Sequence, residues 1–462
     1  MREVVVMLTK NSVHRIEITD LNNLGFGVGR VEGKVVFVGG VVDGDVVEAH
    51  IIRVQADYAV ARLVRILEPS PHRAESLCPA ASCGGCAYRA VSEAHEEALK
   101  VARVRAAFCK CGLPDVNILP LLAAGKRYGY RNKAQYPVTE DKNGRLVIGF
   151  YAPKSHRVVA AENCPLQDAR FAPILATLRA ALEKYKIRAY REENGEGLLR
   201  HIYLRGDSEG REVLLTLVIN GKELPHAKEI VEALRAAHSE IAGILLNINR
   251  ENTNVICGEE YRVLWGKDHL TDTLFGVRLA ITPASFYQVN HAATELLYRR
   301  AAELADLHGD ELVLDLFCGI GSIGLSMAHA AREVIGVEIV ESAVECARKN
   351  AAENGIKNAS FYCGDATDTE KLLTAAEAAR GERILPDVVI LDPPRKGCTP
   401  TLLSYVARLS PKRIVYISCN PDTLARDAVL LIKQGYAMGD VTPVDLFPMT
   451  GHVESVVCLT RK

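Results

Sequence analysis

The chain has 462 residues, enough for about three domains, and its 48% hydrophobic content can fill ordinary cores. Its 56 basic and 57 acidic residues leave a net charge of −1, so nucleic-acid binding has to come from local patches. No apolar run approaches the roughly 20 residues that a bilayer span needs, and Met1-Arg2-Glu3-Val-Val-Val-Met-Leu-Thr9 is too short and too soon acidic for a signal peptide. These features predict a cytoplasmic protein with no membrane partner. In that setting a subset of the 13 cysteines is expected in metal or catalytic roles rather than in a disulfide framework.

Residues 10–69 carry short apolar runs: Arg15-Ile-Glu-Ile-Thr19, Lys34-Val-Val-Phe-Val38, Asp45-Val-Val-Glu-Ala-His-Ile-Ile52 and Tyr58-Ala-Val-Ala-Arg-Leu-Val64. Glycines from Gly25 to Gly44 punctuate them, which predicts a small β-barrel. Leu24-Gly-Phe-Gly-Val-Gly29, Val36-Phe-Val-Gly-Gly40 and Gly44-Asp45 resemble a TRAM domain, an OB-like barrel found on RNA-modifying enzymes. The resemblance implies that residues 1–70 bind RNA through loops and one sheet face. Pro69-Ser-Pro71 reads as the linker that follows.

Residues 71–280 read as a mixed α+β central domain. It opens with Cys78-Pro-Ala-Ala-Ser-Cys83-Gly-Gly-Cys86, in which two glycines let the backbone fold tightly around a shared ion or cluster. A fourth ligand is needed. Cys164, followed by Pro165, is the best candidate; Cys109 and Cys111 are rivals at the end of a helix predicted over 92–108, with Ser92 as its N-cap. Zinc and an iron–sulfur cluster both suit such ligands. The run Gly125-Lys-Arg-Tyr-Gly-Tyr-Arg-Asn-Lys133 has no acid nearby. Lys126, Arg127, Arg131 and Lys133 are expected to meet phosphate while the tyrosines stack on bases. Strands are expected at 213–219 and 243–249.

From residue 281 the pattern alternates strand and helix. Strands are predicted at 311–317, 333–338, 359–363, 387–391, 413–417 and 453–459, with helices between them, which is a doubly wound α/β sheet. Cys318-Gly-Ile-Gly-Ser322 follows the first strand and Glu338 ends the second. A glycine loop alone is a weak dinucleotide signal. Asp315 before it, Glu338, and Gly364-Asp365 after the third strand favour S-adenosylmethionine instead, because its amino group, ribose and adenine each find an acceptor. Ile417-Ser-Cys-Asn-Pro421 places Cys419 between a strand and the N-terminus of a helix predicted over 422–431, where a thiol pKa can fall and a thiolate can act as a nucleophile.

Asp315-Leu-Phe-Cys-Gly-Ile-Gly321, Asp392-Pro-Pro-Arg-Lys-Gly397, Ser418-Cys-Asn-Pro421, Gly451-His-Val-Glu-Ser455 and Phe286-Tyr-Gln-Val-Asn290 together resemble the RNA (uracil-5-)-methyltransferase family. The resemblance implies a class I methyltransferase domain over 281–462, with Cys419 as nucleophile and Glu454 as base. It also implies that Gln288, Phe317, Glu338 and Asp392 contact S-adenosylmethionine, with Asp365 and Ser322 as further candidates; the family often has Asn where Ser322 stands. The barrel together with Cys78, Cys83, Cys86 and Cys164 resembles the branch that modifies 23S ribosomal RNA. In that branch the four cysteines hold a [4Fe-4S] cluster, and the protein is expected to be a monomer. A tRNA-modifying enzyme is the alternative within the family.

Other classes fit less well. Radical iron–sulfur enzymes need cysteine gaps of three and two residues, whereas Cys78, Cys83 and Cys86 leave gaps of four and two. Cytosine-5 methyltransferases typically place a Pro-Cys pair where Pro394-Arg395 stands. A non-catalytic RNA-binding module would not need Cys419, Glu454 and the strand-end carboxylates together.

Overall fold

The structure, a computed structural model, describes residues 8–252 and 254–462. Residues 1–7 of the Met1–Thr9 stretch lie outside the described residues. The first module is a closed barrel of β1 (Val13–Leu21), β2 (Phe26–Val31), β3 (Lys34–Gly39), β4 (Val46–Val54) and β5 (Tyr58–Glu68), ordered β1-β2-β3-β5-β4, with β4 returning to β1. Its interior is aliphatic, including Ile16, Ile18, Val36, Val38, Val47 and Ile51. The sequence reading placed no strand on β2 because of its glycines. They are there for packing: a Cβ on Gly27 would stand 2.3 Å from Val41, and one on Gly29 2.4 Å from Ile16. Glycine lets the strands close around a narrow core.

The central region begins with α1 (Glu93–Lys110). It continues through β6 (Lys133–Glu140), β7 (Leu146–Tyr151), β8 (Val158–Ala160), α2 (Phe171–Lys184), β9 (Leu199–Gly206) and β10 (Val213–Ile219). Then come α3 (Ala227–Ala237), β11 (Ile241–Ile248), β12 (Glu260–Gly266) and the hairpin β13 (Leu270–Leu274) and β14 (Val277–Ile281). One seven-stranded sheet, β12-β11-β10-β9-β6-β7-β8, buries Ile174, Leu178 and Leu182 of α2 and Ile230 and Leu234 of α3. The division drawn at residue 280 does not follow the packing. Val104, Ala107 and Phe108 of α1 belong to one core of the C-terminal sheet, and Leu274, Val277, Leu279 and Ile281 of the hairpin belong to the other.

The C-terminal region runs α4 (His291–Ala305), β15 (Leu312–Leu316), α5 (Ser322–Met327), β16 (Glu333–Glu338), α6 (Glu341–Glu353), β17 (Ala359–Cys363) and α7 (Thr369–Arg380). It ends with β18 (Val388–Leu391), α8 (Pro400–Leu409), β19 (Arg413–Ser418), α9 (Pro421–Lys433), β20 (Tyr436–Met438), β21 (Thr442–Val444) and β22 (Glu454–Arg461). The sheet order is β17-β16-β15-β18-β19-β22-β20, with β21 also on β22. Helices cover both faces, so Leu314, Val389, Ile390, Ile414 and Val415 have no exposed surface, as expected of a parallel sheet. The order turns back between β15 and β18, and ligands bind at such a crevice at the carboxyl ends of strands. Among the described residues no helix is long and apolar enough to cross a membrane.

Helix α1 joins the regions through charge as well as packing. Lys100, 1% exposed, donates to Glu96 Oε1 at 2.6 Å, Asp445 Oδ1 at 2.7 Å and the Phe447 carbonyl at 3.1 Å. A buried ion pair of this kind adds little beyond a well-packed apolar pair, but removing one partner typically costs about 3–5 kcal/mol.

Candidate active site

The parallel registers bring the strand ends to one edge. Leu316 pairs with Val337 and with Leu391, and Glu338 with Cys363. Glu338, Phe317 and Asp392 therefore follow one another along the carboxyl edge, with Asp365 just beyond β17. The loop after β15 turns sharply. Phe317 (φ 68°), Gly319 (φ 55°) and Gly321 (φ 80°) all lie in the left-handed region, and for a phenylalanine that strain is characteristic of functional sites. Glu338 fixes the loop by accepting from Gly319 N–H at 3.0 Å and Val340 N–H at 2.9 Å. Asp315 Oδ2 accepts from Gly324 N–H at 2.9 Å, while its buried Oδ1 has no partner. Burial pushes the Asp315 carboxyl up to about 8.

A cavity of about 610 Å³ opens above this edge. Its walls include all eight candidate residues: Gln288, Phe317, Ser322, Glu338, Asp365, Asp392, Cys419 and Glu454. Two of them are partly engaged elsewhere. Ser322 Oγ is 2.8 Å from the Tyr298 hydroxyl. Asp365 is exposed, and its Oδ1 accepts from both the amide and the hydroxyl of Thr367. The partnerless Asp315 oxygen and the open glycine loop suit the amino group and the nucleoside of S-adenosylmethionine.

Cys419 and Glu454 meet through strand register. In the antiparallel pair β19–β22 the last rung is Ser418 opposite Ser455, so the next positions outward are Cys419 and Glu454. Asn420 caps α9 by accepting from Asp422 N–H at 3.2 Å, and its Nδ2 donates to the Arg395 carbonyl at 3.0 Å. That bond ties the Asp392-Pro-Pro-Arg395 turn to the cysteine. The helix terminus at Cys419, which can favour a thiolate, is outweighed by its surroundings. Burial, then the charges of Glu454 and Asp392, push Cys419 up to about 11, against the opposing pull of Arg395. Glu454 rises to about 8 through burial and then Asp392. Asp392 is half-buried by accessible surface but lies deep in the molecule, and burial raises it to about 7. Burial, and for Cys419 and Glu454 the neighbouring carboxyls as well, favours the protonated forms, and a cation entering the site would oppose this.

Arg395 is the cation that sequence reasoning quoted in a motif without giving it a role. Phe286, 68% exposed, is a large ring at the cavity wall. Tyr298, Phe447 and His452 complete that wall. Burial and then Arg395 and other cations drive His452 down to about 4, so it is neutral at physiological pH. The His452 position was visible within Gly451-His-Val-Glu-Ser455; Tyr298 on α4 carried no local signal.

The four cysteines approach one another. Burial and then the charges of Cys164, Cys83 and Cys78 raise Cys86 to about 12, with Arg89 opposing. Cys111 instead packs against the C-terminal core, and Cys109 is exposed. Arg89 donates to the carbonyls of Ala80, Cys83 and Cys86 and closes the loop. Gly85 N–H faces Cys83 Sγ at 3.4 Å, and backbone amides of Leu166 and Gln167 face the Cys164 sulfur. Amides directed at sulfur and four free thiols are a donor set that fits thiolate ligation. Among the described residues no set of three or more His, Cys, Asp or Glu is closed around a metal position.

The basic run is not the free RNA-facing surface that was expected. Only Lys126 of its four cations is exposed. Arg127 Nη2 donates to Glu96 Oε2 at 2.8 Å. Lys133 is driven down to about 8 by burial and by the neighbouring Arg205 and Arg131. The run lies across the join between central sheet and C-terminal region, which is why Arg127, Arg131 and Lys133 are only partly exposed.

A doubly wound sheet with an acid at successive strand ends and a glycine loop over the cavity defines a class I S-adenosylmethionine-dependent methyltransferase. The family described as tRNA (Uracil-5-)-methyltransferase matches residues 95–462, and the TRAM domain matches 8–64. The chain belongs to that family and is an RNA methyltransferase using S-adenosylmethionine. An uncharacterized RNA methyltransferase of Clostridium tetani is 40% identical, covering 98% of each chain, and one from Halalkalibacterium halodurans is 38% identical with the same coverage. Among solved structures, the Pyrococcus abyssi tRNA (uracil-54, C5)-methyltransferase in complex with S-adenosyl-L-homocysteine superposes with a TM-score of 0.76 at 27% identity. It covers 97% of this chain and 100% of its own.

Proposed function

We propose that the protein methylates C5 of a specific uridine in 23S ribosomal RNA through a covalent adduct on Cys419. What supports this reading is one observation: register sets Cys419 and Glu454 opposite each other beyond the last rung of β19–β22, on the wall of the cavity that the strand-end carboxylates also line. Uracil C5 is too weak a nucleophile to take a methyl group unaided. The Cys419 thiolate adds to C6, and the electron density released there makes C5 nucleophilic. S-adenosylmethionine, held by Gln288, Phe317, Glu338 and Asp392 with lesser contacts from Ser322 and Asp365, supplies the electrophilic methyl. C5 takes up that methyl while still carrying its proton. Glu454 as carboxylate removes the proton, the C6–S bond breaks, and the thiolate is restored. Arg395 favours the anionic forms of both Cys419 and Glu454. Phe286 offers a ring on which a base turned out of its stack can rest.

The ribosomal assignment rests on the resemblance of the barrel and the cysteine set to that branch. A second reading is favoured by the Pyrococcus abyssi tRNA enzyme, whose match extends over 97% of this chain and so includes the barrel. Labelled S-adenosylmethionine offered with unmodified large-subunit RNA and with unmodified tRNA, followed by nuclease mapping and nucleoside analysis, decides between them. The expected product is 5-methyluridine at one or two positions of the ribosomal RNA; label confined to tRNA would reverse the assignment.

Cys78, Cys83, Cys86 and Cys164 are proposed to hold a [4Fe-4S] cluster. The methylation cycle requires no electron transfer, so the cluster's part is in folding and shape. Protein purified without oxygen is expected to carry about four irons per chain and to be brown. Stoichiometric zinc without iron would assign the same ligands to zinc.

A further inference from the structure

Five residues before Glu454 the chain passes through Met449, a non-glycine residue at φ 66°. Such a conformation persists only where its surroundings hold it. Both backbone groups of Met449 are held from outside its own loop. Its N–H donates to Glu96 Oε1 of α1 at 2.7 Å, and its carbonyl accepts from Tyr88 N–H at 2.9 Å, two residues beyond Cys86. Its side chain, 5% exposed, packs in one cluster with Tyr130, Leu166, Cys86 and Cys164. On either side of it, Lys100 bonds the Phe447 carbonyl and Arg103 the Gly451 carbonyl. The next turn of chain brings His452 and then Glu454 to the cavity.

We propose that Glu96 and the cysteine centre form one clamp on the loop 445–452, and that this clamp sets the position of Glu454. Glu96 is a positioning residue: it touches neither RNA nor methyl donor, and acts through Met449. The cysteine loop acts through Tyr88 and through the Met449 side chain, so filling or emptying the metal centre moves the base. This places the effect of the centre on turnover. The inference rests on the reading of Glu454 as the base.

The test uses full-length protein in four forms: wild type with metal, wild type stripped of metal, Glu96→Leu and Glu96→Gln. Glutamine retains an acceptor for Met449 N–H and leucine does not. Glu96→Leu and the stripped protein are expected to lose kcat on the order of 10- to 100-fold, as small displacements of a reacting group do, with KM for RNA and for S-adenosylmethionine changed less than about threefold. Both should accumulate RNA-linked protein on denaturing gels, because addition and methyl transfer precede the step that needs the base. Amide hydrogen exchange at Met449 should quicken in both, and Glu96→Gln should restore slow exchange and turnover. Unchanged exchange and kcat in Glu96→Leu would overturn the clamp. A stripped protein that loses RNA affinity while keeping its kcat would remove the cysteine centre from it. A Glu454→Gln control separates the two ideas. If it fails to trap RNA the base assignment falls, while the exchange data still report on the clamp.

Discussion

Cys419→Ala is expected to reduce methyl transfer by on the order of 10⁴-fold or more, as loss of a covalent nucleophile does, and to leave no RNA-linked protein on a denaturing gel. RNA and S-adenosylmethionine should still bind within a few-fold of wild type. The removed sulfur is half-buried at a strand end, and the loop around it is held by other groups: Asn420 to Arg395, and Ser418 Oγ with the Asn420 amide at 3.1 Å. Alanine keeps that backbone and leaves a small void beside the cavity, so the melting temperature should move little. The measurement pairs a labelled-methyl assay with binding titrations. Full methylation by the variant would mean that C5 is activated some other way and that no adduct lies on the pathway.

Much of this site was legible in the sequence because a parallel sheet converts strand order into an edge. Once 333–338, 359–363 and 387–391 are read as strands, Glu338, Asp365 and Asp392 must share one rim. The pairing of Cys419 with Glu454 was less accessible. It depends on β22 running antiparallel to β19 and on its register, which are tertiary facts. The short strands β20 and β21 were missed for a related reason: three residues each, they are held by distant segments, β20 by β22 and β21 by both β22 and residues 117–122. The basic run was misread because charge pattern carries no information on burial. Glu96, which neutralises Arg127 and orders Met449, lies 31 residues before Arg127 and 353 before Met449. Glycine in β2 pointed towards turns, whereas the barrel interior needs it for room. The thiol pKa was not legible, because a helix terminus at Cys419 is visible in the sequence while burial and the approach of Glu454 and Asp392 are not. Desolvation and two carboxyls outweigh that terminus.

Glu454→Gln is expected to convert the enzyme from a turning-over catalyst into one trapped on its product. Glutamine has the shape of glutamate but cannot accept the C5 proton. Cys419 still adds at C6 and the methyl still arrives, but elimination stalls with the Cys419–C6 bond intact. A slow-migrating protein–RNA species should appear, its RNA already methylated, while multiple turnover falls by on the order of 10²- to 10⁴-fold, the range for loss of a positioned base. The same residue sets the pH profile. With Glu454 raised to about 8 and Asp392 to about 7, Glu454 is mostly protonated and Asp392 about half protonated at neutral pH in the empty enzyme. The carboxylate forms appear as pH rises through those values, so kcat/KM should climb between pH 6.5 and about 9, with apparent constants that belong to the coupled group. The sulfonium of the methyl donor is positive, and a cation beside two carboxyls favours their ionised forms. The inflection of kcat, which reports the loaded enzyme, should therefore fall at lower pH than that of kcat/KM. Because Glu454 acts only after methyl transfer, Glu454→Gln should still form the adduct, and the component near pH 8 should be lost from turnover rather than from adduct formation. Normal turnover by Glu454→Gln with no trapped species would assign the proton to another group or to water, and His452, neutral and on the same wall, would be the next residue to replace.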